Sequence, residues 1–328
     1  MKRAQYAQRG PIPQDVIDAV EFSLPPLVSG EALVEVLAAP INPSDVLTLT
    51  GLYGILPPLP AVGGNEGVGR VVELGPDTRG PAPGQTVLLP VGCGSWSTHV
   101  VVAAARLLPL PNDADPLQLA MMTVNPPTAL LMLREFVDLQ PGEWVIQNVA
   151  NSGVGGYLAQ IAKLRGLRTV NIVRRESAVA AVRELGGDVV LVDGDKLAKR
   201  VSEATGGAAI RLGIDAVGGA ATDHLASCLA ERGVLVNYGM MSGEACQISP
   251  ASFIFRDVTL RGFWLSRWYK EASAEQRAGV VGEVASLIAK GTLHCAVAAT
   301  FPIERIREAV AAAAAGEREG KILLVPGG

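Results

Sequence analysis

No apolar run in the 328-residue chain reaches the roughly 18 residues that a membrane-crossing helix needs, so no membrane span is expected. The opening Met1-Lys2-Arg3-Ala4-Gln5-Tyr6 leads into polar sequence rather than an apolar signal core, which predicts a cytoplasmic protein. There is no basic excess: 28 Lys and Arg stand against 32 Asp and Glu, a formal net charge of −4. That balance would not neutralise a phosphate backbone, and nucleic acid is not expected as a partner. Cysteine is scarce. Cys93, Cys228, Cys246 and Cys295 lie far apart with no C-x-x-C pair, so neither a zinc knuckle nor a disulfide framework is signalled, and free, mostly structural thiols are expected. Charged residues are held to 18% and hydrophobic residues reach 49%, which at this length supplies core for two domains. The 37 Gly and 22 Pro follow no period and mark turns rather than collagen or low complexity.

The first third is cut by Gly and Pro into short apolar stretches of β character at 32–41, 68–74, 86–91 and 99–108, an irregular β-rich domain. From about Asp115 the rhythm changes. Apolar stretches at 144–149, 169–173, 189–192, 210–217, 234–238 and 258–265 alternate with Ala/Leu-rich helical segments, which predicts βαβ units around a parallel sheet with ligands beyond its carboxyl ends. A helix at 274–290, a further strand, an alanine-rich helix at 304–315 and a strand at 321–325 complete the chain. This tail is too short for a domain and is expected to pack on the first third. The fold class is therefore α/β, with a β-rich domain over 1–115 and 266–328 and a doubly wound parallel-sheet domain over 116–265.

Trp144 to Tyr157 reads as an apolar strand, a small-residue turn and a helix start, the arrangement that brings backbone amides and a helix N-terminus to a dinucleotide pyrophosphate. Against G-x-G-x-x-G the first two glycine positions are Ala150 and Ser152, and only Gly155 is glycine. Small size is a sufficient reason for Ser152, which has no G-x-S-x-G elbow to make it a nucleophile. Nineteen residues beyond Gly155, where an NAD enzyme usually presents an acid to the ribose, the chain reads Val173-Arg174-Arg175-Glu176. Two guanidinium groups suit a 2′-phosphate, so NADP(H) is favoured, with Glu176 keeping NAD(H) open. His99, His224 and His294 have no acidic or cysteine partner nearby in sequence and are not named as bases.

With these features in place, the sequence resembles the medium-chain dehydrogenase/reductase superfamily, in which a GroES-like catalytic domain in two segments encloses a Rossmann nucleotide-binding domain. Zinc alcohol dehydrogenases of that superfamily carry a Cys three residues before an Asp, and a G-H-E; here the stretches read Asn42-Pro43-Ser44-Asp45 and Gly64-Asn65-Glu66. Amide oxygens substitute poorly for thiolate and imidazole on zinc, so metal-free chemistry is expected. Within the superfamily the chain resembles the zinc-independent trans-2-enoyl thioester reductases. The resemblance lies in Ile41-Asn42-Pro43-Ser44-Asp45, Gly51-Leu52-Tyr53-Gly54, Leu59-Pro60-Ala61-Val62-Gly63-Gly64-Asn65-Glu66-Gly67, Val124-Asn125-Pro126, Asn151-Ser152-Gly153-Val154-Gly155 and Arg261-Gly262-Phe263-Trp264-Leu265-Ser266-Arg267-Trp268.

The resemblance implies NADPH-dependent reduction of a 2-enoyl thioester carried on CoA or acyl carrier protein, with Tyr53 as the proton donor in a cleft between the domains. A phenol, with an ordinary pKa of about 10, is protonated at neutral pH as a general acid must be. It also implies cofactor contacts: Asn125 toward the nicotinamide ribose, Asn151, Ser152, Gly153 and Val154 toward the pyrophosphate with Gly155 in the turn, and Arg174 toward the 2′-phosphate. Arg175 departs from the family's more frequent Arg-Asp-Arg. Tyr238, Gly239, Met240, Met241, Phe263, Trp264 and Leu265 would flank the nicotinamide, and Lys321 would close the site. No metal residue is implied, and a homodimer joined near 258–265 is expected. Core packing is an alternative for Phe263 and Trp264, and an acyl pocket or a subunit contact for Trp268 and Tyr269. A zinc-independent quinone or enone reductase, and a non-catalytic NADPH-binding regulator, remain as alternative readings.

Overall fold

In the computed structural model, which describes residues 1–316 and 319–327, the chain divides into two units, Met1–Val124 with Gly282–Gly328, and Asn125–Val281. The first stretch supplies β1 (Lys2–Tyr6), β2 (Asp18–Glu21), β3 (Glu31–Pro40), α1 (Pro43–Thr50), β4 (Ala61–Val62), β5 (Val68–Leu74), β6 (Thr86–Leu88), β7 (His99–Ala103), β8 (Leu108–Pro109) and α2 (Pro116–Leu119). The second unit runs through α3 (Asn125–Glu135), β9 (Trp144–Gln147), α4 (Gly153–Leu164), β10 (Arg168–Val173), α5 (Val179–Glu184), β11 (Val189–Val192), α6 (Leu197–Thr205), β12 (Ile210–Asp215), α7 (Ala220–Cys228), β13 (Val234–Asn237), β14 (Thr259–Gly262) and α8 (Leu265–Glu271). After α9 (Ala274–Ala289) come β15 (Val297–Phe301), α10 (Ile306–Ala314) and β16 (Lys321–Leu324).

In the first unit β3 alternates buried Ala32, Val34 and Val36 with half-buried neighbours, the period-two pattern of a sheet with one face on a core. Its Val34 lies opposite Val71 of β5 and Val100 of β7, both antiparallel. The larger sheet runs β15-β16-β3-β5-β6-β8 with β7 also on β3, and a three-stranded sheet, β2-β1-β4, stands beside it. The tail packs on the first third as expected: β16 pairs with the end of β3, and α10 buries Ile306, Ala309, Val310 and Ala313, one face at helical spacing. Small alanines there let the helix lie against the core that holds Val34, Val71, Trp96 and Leu324.

In the second unit the six strands are parallel in the order β11-β10-β9-β12-β13-β14. The chain steps outward from β9 to β11, then returns to the other side of β9, so the order reverses at β9 and a ligand crevice is expected at its carboxyl end. Ile146, Val170, Ile172 and Leu235 fill the core beneath helices. The strand expected over 258–265 is shorter than the sequence suggested. Its partner β13 ends at Asn237, whose carbonyl takes the Phe263 amide at 2.9 Å. No ladder partner remains beyond that point, and Trp264 becomes the N-cap of α8.

Candidate active site

Gln147 ends β9 as a buried amide whose Nε2 donates to the Gly155 carbonyl at 2.9 Å and to Asn171 Oδ1 at 2.7 Å, fastening the strand end to α4 and β10. The chain then reverses through Val149 at φ 49, a left-handed conformation that costs a β-branched residue about 1–3 kcal/mol. Ser152 is more than a small turn residue. It caps α4, its Oγ accepting the Gly155 amide at 3.1 Å while its own amide donates to the Val149 carbonyl at 2.9 Å. The amides of Gly153 and Val154, in the first turn of a 12-residue helix, have no partner within that helix. A Cβ on Gly155 would lie 2.7 Å from the Ala150 Cα, the Ala150 oxygen and the Val149 oxygen, so glycine is required for this close turn-to-helix approach. Donors, helix dipole and clearance together fit a dinucleotide pyrophosphate.

The neighbouring strand ends supply the remaining sequence-predicted groups of this unit. Arg174, exposed, and Arg175, half-buried, follow β10 beside the turn. Tyr238 follows β13 and is brought to the turn itself: burial pushes its phenol up, and a hydrogen bond with Ser152 opposes the rise. Gly239 is half-buried, and Met240 and Met241 are exposed beyond it. Asn151 is exposed in the turn, and Asn125 is buried at the start of α3. Phe263 packs edge-on against Phe136 at 6.0 Å between ring centroids, with Trp264 and Leu265 half-buried after it. Trp268 and Tyr269 stack edge-to-face on each other at 5.5 Å. Asp215, which the sequence did not single out, organises these strand ends. Fully buried, it accepts from Asn148 Nδ2 at 2.7 Å, the Val217 amide at 2.8 Å, Thr222 Oγ1 at 2.7 Å and Asn237 Nδ2 at 3.1 Å.

The first unit holds Tyr53 and Lys321. Helix α1 starts as Asn-Pro-Ser-Asp dictates: Asn42 is the N-cap, Pro43 takes the first position where no amide partner is needed, and Asp45 Oδ2 reaches back to the Asn42 amide at 2.8 Å. It ends at Gly51, φ +82, where the Leu47 carbonyl accepts the Leu52 and Tyr53 amides at 2.8 and 3.1 Å. Tyr53 itself is half-buried among exposed Leu52, Gly54 and Ile55. Lys321 is fully buried at the start of β16, and its Nζ donates to Asn42 Oδ1. Asn42 Nδ2 in turn donates to Glu66 Oε1 at 2.7 Å, and Asn65 Nδ2 to Asp45 Oδ1 at 2.6 Å. The amide and hydroxyl of Thr123 complete Glu66 at 3.0 and 2.9 Å. Gly64, φ +99, delivers Asn65 and Glu66 to this network.

Two carboxyls in this buried place titrate abnormally. Burial lifts Asp45 to about 7, the Asn42 amide opposes the rise, and the nearby Glu66 adds to it. Burial lifts Glu66 too, against its hydrogen bond from Asn42 and the charge of Lys321. With a folded pKa above the unfolded one, the native protein holds more protons than the unfolded chain between about pH 4 and 7. The stabilisation is full below that window and lost as pH rises through it. Thermal unfolding across pH 4.5 to 8 should therefore show a Tm that falls with pH in the wild type and falls less steeply in Asp45→Asn; parallel curves would contradict the assignment.

The cysteines are unpaired, as expected, and burial raises the thiols of Cys93, Cys228 and Cys295. His224 is not isolated: the fold sets its Nδ1 3.0 Å from Asp193 Oδ1, 31 residues away in sequence. No group of three or more His, Cys, Asp or Glu among the described residues is arranged to hold a metal ion, and no helix among them is long and apolar enough to cross a membrane.

Residues 28–112 match the alcohol dehydrogenase GroES-like domain, and residues 153–278 match the zinc-binding dehydrogenase model. The chain is 37% identical over 306 residues to the mitochondrial enoyl-[acyl-carrier-protein] reductase of Rattus norvegicus, an alignment covering 92% of this chain and 82% of the relative. The chain belongs to the enoyl-[acyl-carrier-protein] reductase family. Among solved structures it is similar to the Etr1p/NADP/crotonyl-CoA complex, at a TM-score of 0.88 and 27% identity over 99% of both chains. It is also similar to the mitochondrial 2-enoyl thioester reductase Etr1p/Etr2p heterodimer from Candida tropicalis, at 0.86 and 28% over 99% of both. A Bacillus thuringiensis protein named as an NADPH:quinone reductase matches at 0.89 and 28%, over 99% of this chain and 98% of that one. The GroES-like and Rossmann parts expected from the sequence are both present. The reductase lacks the zinc-type ligands of its wider superfamily, because the amides of Asn42 and Asn65 stand there and are spent on Glu66 and Asp45.

Proposed function

We propose that the chain is an NADPH-dependent reductase of the α,β-double bond of trans-2-enoyl thioesters carried on CoA or acyl carrier protein, with Tyr53 as the proton donor. The observation that carries this reading is the hydrogen bonding of buried Asn42 and half-buried Asn65, which leaves a phenol rather than a metal-bound group as electrophilic help. The solved relative whose complex holds NADP and crotonyl-CoA supports the substrate class and the cofactor. In this assignment the parts over 1–115 and 266–328 carry the substrate and the part over 116–265 carries the nucleotide.

The amides of Gly153 and Val154, with Asn151 and Ser152, would bind the pyrophosphate, and Arg174, joined by Arg175, the 2′-phosphate. Asn125, Tyr238, Gly239, Met240, Met241, Phe263, Trp264 and Leu265 would bound the nicotinamide end, and Lys321 would add its positive charge. When bound, the reduced nicotinamide supplies a hydride to the β-carbon of the substrate. Tyr53 holds a proton on its phenolic oxygen and delivers it to the α-carbon, so the charge gathering toward the thioester carbonyl is relieved as it forms.

The likeness to the Bacillus thuringiensis protein favours a second reading, reduction of a quinone with Tyr53 only lining the pocket. Steady-state NADPH oxidation on crotonyl-CoA and on a simple quinone separates the two. The thioester should give a kcat/KM at least about tenfold higher, a difference of roughly 1.4 kcal/mol in the barrier. The reverse order would establish the quinone reading, and NADPH binding without oxidation of either would establish a regulator.

A homodimer belongs to the same proposal. β14 is an edge strand of the parallel sheet, and in the helical turn that precedes it in the chain Phe253, Ile254 and Phe255 are 58%, 67% and 80% exposed. An apolar open edge of this kind is suited to pairing with a second copy. Sedimentation at micromolar concentration should give twice the chain mass, and a monomer would refute the dimer. A cytoplasmic location is part of the same proposal.

A further inference from the structure

Two buried carboxylates, one buried ammonium and two amides form a connected group at the first turn of α1, and nothing in the reaction as proposed uses Glu66 or Asp45. Such a group is no cheap source of stability, since apolar side chains of similar volume often hold a fold as well as a buried ion pair does. Its geometry is what it supplies. Glu66 gathers three donors from two separate segments, Asn42 Nδ2 at 2.7 Å and the Thr123 amide and hydroxyl at 3.0 and 2.9 Å. Asp45 joins the helix to the loop between β4 and β5 through Asn65 at 2.6 Å and to its own N-cap through the Asn42 amide at 2.8 Å. Lys321 binds the same Asn42 from β16. The start of α1 is thus tied directly to two segments, residues 65–66 and β16, and through Glu66 to Thr123, by bonds to carboxyl and ammonium groups, which are short and directional.

The other end of α1 holds Tyr53. The helix has eight residues, about 12 Å of rise, and its Leu47 carbonyl accepts the amides of both Leu52 and Tyr53. The tyrosine's backbone is therefore fastened to the helix itself, and a shift or rotation of the helix carries the phenol with it. We propose that Glu66 and Asp45 are positioning residues for Tyr53, gripping at its first turn the helix to whose C-terminal end, just past the Gly51 cap, the tyrosine backbone is bonded. This inference rests on the reading of Tyr53 as proton donor. An error of about 1 Å at a reacting group is enough to cost about 10²-fold, so a distant grip of this kind has kinetic consequences.

The test is a double-substitution cycle with Glu66→Gln and Tyr53→Phe, read in crotonyl-CoA reduction and by amide hydrogen exchange of the uncomplexed protein. Glutamine keeps the size of Glu66 but offers one acceptor oxygen to three donors. Glu66→Gln should lower kcat by about 10- to 100-fold with KM for NADPH within about threefold, and speed exchange at the Leu52 and Tyr53 amides. Added to Tyr53→Phe it should cost less than about twofold more, because a misplaced phenol and a missing one fail at the same step. Multiplicative losses, or unchanged kcat with unchanged exchange, would overturn the proposal. If Glu66→Gln does not fold, Thr123→Val, which removes only the hydroxyl donor, should show the same pattern in smaller measure, and its absence there would equally overturn it. A Tyr53→Phe variant that keeps full activity would defeat the proton-donor reading instead, and the exchange measurement would still report on the grip.

Discussion

Tyr53→Phe should lower kcat for crotonyl-CoA reduction by about 10²–10⁴-fold and leave KM for NADPH within about threefold, the range expected when a general acid is lost. The change removes one oxygen and keeps the ring, so packing around this half-buried residue is preserved. The loss should fall on kcat because the proton is needed only as charge develops toward the thioester carbonyl, and an interaction confined to the transition state does not show in ground-state binding. Turnover within a few-fold of wild type would remove Tyr53 from the chemistry. The same variant assayed on a quinone should be nearly unaffected, since a quinone presents its own oxygen to solvent protons.

Arg174→Ala should raise KM for NADPH by about 10- to 100-fold while changing KM for NADH by less than about twofold, the factor that loss of one or two charge-assisted hydrogen bonds to a phosphate implies. Arg174 follows the last residue of β10, the strand beside the glycine turn, and is exposed there. Both cofactors share the pyrophosphate and differ at the ribose 2′ position, so a selective effect locates the guanidinium at that position. Equal loss with both cofactors would instead mean that the strand end had been disturbed. Arg175→Ala makes the companion measurement: a smaller effect is expected from a half-buried residue that caps the short turn Glu176–Ala178.

Much of the nucleotide-binding unit was legible because its signals are local. Apolar stretches near 144–149, 169–173, 189–192, 210–217 and 234–238 each became a parallel strand within a few residues, and the turn at Ser152 to Gly155 carries its own steric reason in Gly155. The first unit was harder to read. β1, β2 and β4 are short strands whose pairing partners, such as Val62 for Gln5, come from distant sequence. Helix α1 did leave a signal that could have found it, an Asn N-cap with Pro at the first position and Asp at the third. The buried network could not be read at all. Lys321 meets Asn42 across 279 residues, and Asn42 meets Glu66 across 24, contacts that only the folded sheet creates. Asp215 and the His224–Asp193 pair were hidden for the same reason.

The proposed mechanism has a phenol supply the electrophilic assistance in a site whose zinc-ligand positions are taken by Asn42 and Asn65. It is tested most directly by measuring zinc content and crotonyl-CoA-dependent NADPH oxidation on one sample before and after treatment with a strong chelator. The expected result is well under one zinc per chain and a rate unchanged by the chelator. Stoichiometric zinc whose removal abolishes turnover and whose return restores it would contradict the account.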